Sequence, residues 1–397
     1  MNPHLAKLHP YPFERLRKLF DGVSPPPGKK PIVLSIGEPR HPTPPLIREA
    51  LVNGLSRLSN YPTTPGLLPL REAISGWLSR RHGVPPLDPA SQILPVAGSR
   101  EALFAFSQAI VTGSSSDPIV AMPNPSYQIY EGGALLAGAL PRYLNSLPER
   151  RFRPDYQRLS AQDWDRAELL FTCSPDNPTG RVMSLEDWRE LFELSDRHGF
   201  VIASDECYSE IYFDEARPPL GALAAARALG RDDYRNLVVF GSLSKRSNVP
   251  GMRSGFVAGD ARLIKTFLLY RTYHGTAISD VVALASIAAW NDEEHVVANR
   301  RLYAAKFSAL QPRIAALLPC AMPEAAFYLW AQTPIADEAF ARRLYTEQAV
   351  TVLPGTYLGR TADSINPGQN FIRIALVDNL DECAEAVDRI VELARAL

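Results

Sequence analysis

Lys245 stands in a stretch, residues 237–255 (LVVFGSLSKRSNVPGMRSG), that sets an amine among groups able to hold a phosphate. Residues 237–240 are apolar, β-branched and aromatic, the composition of a buried strand. Beyond Gly241 a polar loop is expected, presenting Ser242, Ser244, Lys245 and Arg253. In an open α/β sheet, ligands sit just outside the carboxyl ends of the strands. A lysine placed there, near an apolar floor, is pushed toward its free amine, which attacks carbonyls. Two hydroxyls and a guanidinium around it suit a phosphate. An amine beside a phosphate clamp fits pyridoxal phosphate held as a Schiff base. The plainer reading of the stretch is a solvated loop with an incidental lysine.

Two more strand ends bring compatible groups. Asn177 stands in SPDNPTG, and Asp205 with Tyr208 in SDECY. A carboxylate beside the pyridine nitrogen keeps that ring protonated and able to accept electrons. Tyr208 and Asn177 can hydrogen-bond the ring's phenolic oxygen. Taken singly, Asp205 reads as a helix N-cap and Asn177 as a turn residue before Pro178. On consecutive strand ends the shared reading is the stronger one. Gly98-Ser99-Arg100 opens a helix after a strand, where free N–H groups attract an anion. Tyr127, in PNPSY, either stacks on a flat ring or belongs to the core. Arg373, in NFIRIAL, needs a carboxylate partner, from a substrate or from an internal acidic side chain.

The elements that must carry these groups follow from the pattern. An amphipathic helix in residues 1–20 and a proline-rich linker at 24–31 precede a short strand at 32–36. Apolar positions at helical spacing mark helices at 46–58 and 68–78, with NYPTTPG and its Tyr61 between them. Strands are expected at 93–96, 119–122, 169–172, 200–203 and 237–240. Helices alternate with them at 101–111, near 130–139, and at 185–198 with Ser184 as N-cap. Such alternation predicts a mostly parallel sheet. Helices at 262–270, 281–290 and 296–317, strands at 326–331, 350–353 and 371–376, and a closing helix at 380–397 indicate a second, smaller α+β domain.

Composition limits the function further. The chain has 397 residues, with 42 basic and 43 acidic side chains and a net charge of -1, so no polyelectrolyte partner is favoured and a nucleic-acid role is not expected. Cys173, Cys207, Cys320 and Cys383 form no CxxC pair, so neither a metal site nor a disulfide framework is indicated. No signal-peptide core is evident, and the apolar run at 281–290 is too short to cross a bilayer. These features read as a cytoplasmic protein without a membrane role.

The motifs together resemble the class I/II aminotransferases of the fold-type I pyridoxal-phosphate enzymes. GEP at residues 37–39, NYPTTPG, DNPTG, SDECY and SLSKRSNVPGMRSGF occur in that family's order. The resemblance implies an α/β fold: a mostly parallel seven-stranded sheet with helices on both faces, plus a smaller α+β domain. It divides the chain into an N-terminal arm and part of the small domain at 1–40, a large cofactor-binding domain at 41–292 and a small C-terminal domain at 293–397. It implies that pyridoxal 5'-phosphate is the cofactor and that Lys245 carries it and shuttles the proton. Asp205 pairs with the pyridine nitrogen, Asn177 and Tyr208 with the phenolic oxygen, and Tyr127 stacks on the ring. Ser99, Arg100, Ser242 and Arg253 hold the phosphate, with Tyr61 reaching across from a partner subunit of a homodimer with shared active sites. Gly37, Asn177 and Arg373 bind the substrate α-carboxylate, and no metal is involved.

Narrower wording, including LHPYPFERL, GEPRHPTP, PNPSYQIYEGG and LLYRTYHG, resembles the N-succinyldiaminopimelate aminotransferases of bacterial lysine synthesis. That branch implies 2-oxoglutarate as acceptor, giving glutamate. Aspartate or another amino acid is the alternative donor. Both substrates of the branch carry a second carboxylate, for which Arg40, His41 and Arg100 are the first candidates and Arg271 and His274 the reserves. Asp176, beside Asn177, adds a negative charge near an anionic cofactor and is expected to point away. A serine acyl-enzyme is the rival from another class, since residues 242–245 match S-x-x-K. That motif should open a long helix, and Pro250-Gly251 interrupts this one. A non-catalytic DNA-binding relative would need a basic module before residue 30, for which the chain has no room.

Overall fold

A computed structural model describes residues 1–113 and 116–397. After a 3-10 turn at Pro3–Lys7 come α1 (Pro12–Leu19), β1 (Ile32–Val33), α2 (Pro45–Asn53) and α3 (Leu68–His82). Strands and helices then alternate: β2 (Ile93–Val96), α4 (Ser99–Ile110), β3 (Ile119–Asn124), α5 (Gln128–Leu136), β4 (Leu140–Asn145), α6 (Ala161–Asp165), β5 (Ala167–Cys173), α7 (Leu185–His198), β6 (Val201–Asp205), α8 (Ala222–Ala228), β7 (Leu237–Ser242), α9 (Leu243–Arg246) and β8 (Gly255–Gly259). The remainder comprises α10 (Ala261–His274), α11 (Asp280–Asn291), α12 (Glu294–Ala315), β9 (Tyr328–Gln332), α13 (Asp337–Gln348), β10 (Val350–Thr351), β11 (Leu353–Pro354), β12 (Phe371–Ala375) and α14 (Leu380–Arg395).

The central sheet has seven strands in the order β2-β8-β7-β6-β5-β3-β4, and only β8 runs antiparallel to its neighbours. Strand β7 shows why the sheet is covered on both faces. Leu237 and Val239 enter one core with Trp77, Trp188 and Trp290, while Val238 and Phe240 enter the other with Phe106 and Phe267. The period-two alternation of a strand places these pairs on opposite sides. Both layers need apolar residues, so the strand reads as an unbroken hydrophobic run. The antiparallel sheet β11-β12-β9 has its own core, shared with Tyr303 and Phe307 of α12 and with Ile32 and Leu34 near the N-terminus. Parallel pairing of Ile32 with Val350 ties that early segment to the C-terminal part.

Several boundaries differ from the sequence expectation. The strand at 32–36 is only two residues long, although Leu34 N–H still reaches Thr351 O at 2.8 Å. The helix at 46–58 ends at Asn53, with Gly54 as C-cap, and continues as a 3-10 turn. The strand at 350–353 divides, since Val350–Thr351 pairs with β1 and Leu353–Pro354 with β12. Strands β4 and β8 and helix α8 carry no expectation from sequence. The polar loop after Gly241 is instead a strand end followed by the one-turn helix α9, with Ser242 Oγ accepting Ser244 N–H at 3.1 Å.

Candidate active site

The ends of β5, β6 and β7, the start of α4 and the face of β12 converge on a cavity of about 380 Å³. Its wall includes Gly37, Ser99, Arg100, Tyr127, Asn177, Asp205, Tyr208, Ser242, Ser244, Lys245, Arg253 and Arg373. The residues of this chain expected to hold the cofactor and the substrate α-carboxylate are therefore brought together, apart from Tyr61, which is expected to reach into a partner subunit's site. Tyr61 is fully exposed between α2 and α3 and is no part of the wall.

Lys245 sits on α9 because β7 ends and turns at Ser242. Its Nζ donates to Gly37 O at 2.6 Å, and burial lowers its pKa from 10.5 to about 8. The register of β5 with β6 sets Cys173 opposite Asp205. Asp205 is buried, which raises its carboxyl pKa; the opposing influences come from Cys207 and Tyr130. Cys207 N–H reaches Oδ1 at 3.1 Å and the Tyr130 hydroxyl reaches Oδ2 at 2.7 Å. A turn follows β6, so Asp205 caps no helix. Arg373 is buried and donates to Asn177 Oδ1 at 2.9 Å and to Ser35 O at 2.7 Å. No carboxylate of the described residues pairs with it, and its Nε is buried without a partner.

At the other end, Gly98 at φ 91° precedes the first turn of α4, and no side chain caps that helix. A Cβ on Gly98 would lie 2.3 Å from Arg253 Nη2, so only glycine lets the guanidinium approach this turn. Arg253 itself takes a left-handed backbone, φ 52°, in the turn that follows Pro250. Uncapped N–H groups, Ser99, Ser242, Ser244 and two guanidinium groups form a donor set for a phosphate. The buried carboxylate, the desolvated amine and the orphaned Arg373 Nε supply the remaining features that pyridoxal 5'-phosphate and a carboxylate substrate require. The chain therefore fits that cofactor.

Of the candidates for a second carboxylate, only Arg100 reaches the cavity, with its guanidinium 5.3 Å from the centre of the Tyr11 ring. Arg40 instead forms an ion pair with Asp378 at the surface. His41 bonds Asn299 at 2.7 Å and Lys306 at 3.0 Å. Arg271 is buried against Glu101, within 2.6 Å, and His274 contacts Thr276 at 2.8 Å. Asp176 lies outside the wall. Its Oδ2 accepts Thr179 N–H and hydroxyl at 3.1 and 2.6 Å, and burial raises its pKa to about 6.

Sequence reasoning missed Tyr11, Tyr130, Cys207 and Tyr328. Tyr328 sits in an apolar run and Tyr130 follows Ile129 in a helix, so both read as core, which they also are. The PYP of LHPYPFERL was a visible signal for Tyr11, because prolines on both sides fix its backbone.

The family model described as aminotransferase class I and II matches residues 29–390. The LL-diaminopimelate aminotransferase of Nitratidesulfovibrio vulgaris is 31% identical over 399 residues, covering 98% of each chain. The protein of the same name from Desulforudis audaxviator is 31% identical, covering 97% of this chain and 96% of that one. Among solved structures, an aminotransferase from Neisseria meningitidis is 50% identical with a TM-score of 0.96, covering 100% of both chains. AspB, an aminotransferase from Helicobacter pylori, is 35% identical with a TM-score of 0.89, covering 98% of this chain and 100% of that one.

Proposed function

The chain belongs to the class I and II aminotransferase family, and we propose that its donor is an amino acid with a distant second carboxylate, N-succinyl-LL-2,6-diaminopimelate first. It is a pyridoxal 5'-phosphate-dependent aminotransferase that moves an amino group between an amino acid and a 2-oxo acid. In this proposal 2-oxoglutarate is the acceptor, and the enzyme is a cytoplasmic homodimer. The arm and part of the small domain at 1–40, the large domain at 41–292 and the small domain at 293–397 belong to the same proposal.

When bound, pyridoxal 5'-phosphate supplies a carbonyl that condenses with amines and a ring that takes up the electron pair released at the substrate α-carbon. The chain's own residues do the rest. Lys245 would hold that carbonyl through its amine and, once the substrate amine had displaced it, the freed amine would take up and return the α-proton. Asp205, oriented by Tyr130 and the Cys207 N–H, holds the positive charge of the pyridine nitrogen. Tyr208 and Asn177 hydrogen-bond the phenolic oxygen, and Tyr127 stacks on the ring. Ser99, Arg100, Ser242 and Arg253 hold the phosphate, joined by a partner subunit's copy of the exposed tyrosine at position 61. Gly37, Asn177 and Arg373 take the α-carboxylate.

One observation carries the substrate reading. Four cationic side chains, Arg100, Lys245, Arg253 and Arg373, line the cavity, against one carboxylate, Asp205, which is buried at its floor. In this reading a second carboxylate is met by Arg100, whereas a free distal ammonium finds no carboxylate among the described wall residues other than the buried Asp205. Acylation of the distal amine, as in the N-succinyl compound, removes that ammonium. The relatives' name supports a second reading, unsubstituted LL-diaminopimelate.

Spectral half-reactions with both donors, glutamate and alanine test this. Arg100→Ala is expected to lower kcat/KM for the dicarboxylic donors by about 1.5–3 kcal/mol more than for alanine, the scale of a charged hydrogen bond, beyond any loss that all donors share through the phosphate. Arg40→Ala, away from the cavity, serves as the control. Equal losses on all donors would assign Arg100 to the cofactor alone.

A further inference from the structure

Tyr328 lines the cavity beside Tyr208, Arg373 and Gly37. It projects from β9, buried, and its hydroxyl lies 2.9 Å from that of Tyr208. The Arg373 guanidinium lies 4.4 Å from the centre of its ring. The register explains that contact: Ala375 of β12 pairs with Tyr328 and Arg373 with Trp330, so Arg373 and Tyr328 are diagonal neighbours on one face. The backbone is shaped around the same hydroxyl. A Cβ on Gly37 would come within 1.8 Å of Tyr328 Oη, and the carbonyl of Gly37 is the one that receives Lys245 Nζ. One side chain thus touches Tyr208 and Arg373 and reserves the space through which residue 37 passes.

Each phenol has a single proton, so within the pair one hydroxyl donates and the other accepts. Burial raises the proton affinity of both. The Arg373 charge opposes it at both hydroxyls, more strongly at Tyr328, whose ring the guanidinium faces at 4.4 Å, and this favours Tyr328 as the donor. When Tyr328 donates, the Tyr208 proton is left free to turn into the cavity.

We propose that Tyr328 is a positioning residue with two separable parts: its hydroxyl aims the Tyr208 proton into the cavity, and its ring holds the Arg373 guanidinium for the substrate carboxylate. The inference rests on the roles proposed above for Tyr208 and Arg373. A hydrogen bond donated to the cofactor's phenolic oxygen favours the fully anionic oxygen and so lowers the proton affinity of the nitrogen beside it. Loss of that bond moves the pH midpoint of the cofactor's visible absorbance upward.

The test uses the cofactor-loaded protein with two readouts, that midpoint and the Kd of succinate as an unreactive carboxylate. Tyr208→Phe is expected to raise the midpoint by about one pH unit and Tyr328→Phe by about half as much. The double variant should move no further than Tyr208→Phe alone, because Tyr328 acts through Tyr208. Tyr328→Phe keeps the ring and should bind succinate within about twofold of the parent. Tyr328→Leu should weaken it about 2–30-fold, the span of a cation–π contact. A shift in Tyr208→Phe with none in Tyr328→Phe overturns the hydroxyl part alone. Additive shifts in the double variant overturn it as well. No shift in Tyr208→Phe overturns the reading of Tyr208 and this part with it. Succinate binding equal in the Phe and Leu variants overturns the ring part.

Discussion

At the residue scale, placement changes what a side chain is. Lys245 on an exposed loop would stay protonated through neutral pH, whereas burial brings it to about 8. For a depressed lysine the reactive free amine appears as pH rises through the folded pKa. Reconstitution of cofactor-free protein should therefore accelerate from pH 7 to 9 and level off above, and stopped-flow absorbance measures it. A midpoint near 10.5 would mean an undesolvated amine. Lys245 and Asp205 could be read from sequence because a polar residue at the end of an apolar strand has few structural uses. Tyr130 could not: its ring stacks on Phe171 at 4.6 Å, as core residues do, and only its hydroxyl belongs to the site. Arg271 failed in the opposite direction, because its Glu101 partner is 170 positions away and no spacing rule connects them.

At the element scale, local signals were legible where they close on themselves. Helix α7 runs over the expected residues 185–198 because Ser184 and Asp187 form a reciprocal capping box. Ser184→Ala should lower stability by about 1 kcal/mol, read from the urea midpoint, and leave kcat unchanged, since α7 adds no residue to the cavity. Where pairing partners are remote, the pattern was silent. β4 carries Pro141 and Arg142 on a half-covered edge, and β8 begins and ends on glycine, so neither shows a strand's apolar run. Division of residues 350–354 between two sheets is likewise set by β1 and β12, not by the segment itself.

At the scale of the whole molecule, the proposed homodimer makes a concentration-dependent prediction. Tyr61 is fully exposed, and Leu55, Leu58 and Leu68 near it are exposed as well. If another copy covers this region and its tyrosine completes the phosphate site, dilution should release cofactor in step with dissociation, by fluorescence and sedimentation. Tyr61→Phe should weaken retention without changing the dissociation constant of the dimer. Retention unchanged on dilution to monomer would leave Tyr61 without that role.

The pairing of Ile32 with Val350 and the bond from Arg373 to Ser35 also carry a consequence in time. A ribosome delivers the central sheet long before it delivers β10 and β12. Until then Ile32 and Leu34 lack the neighbours that bury them, and the carboxylate end of the cavity lacks its guanidinium. Residues 98–253, which carry this chain's own share of the proposed phosphate cradle, are made while residues 348–397 are still to come. Translation thus sets an order in which residues 98–253 are made before Arg373; on the roles proposed above, the end that holds the phosphate is made before the end that takes the substrate carboxylate.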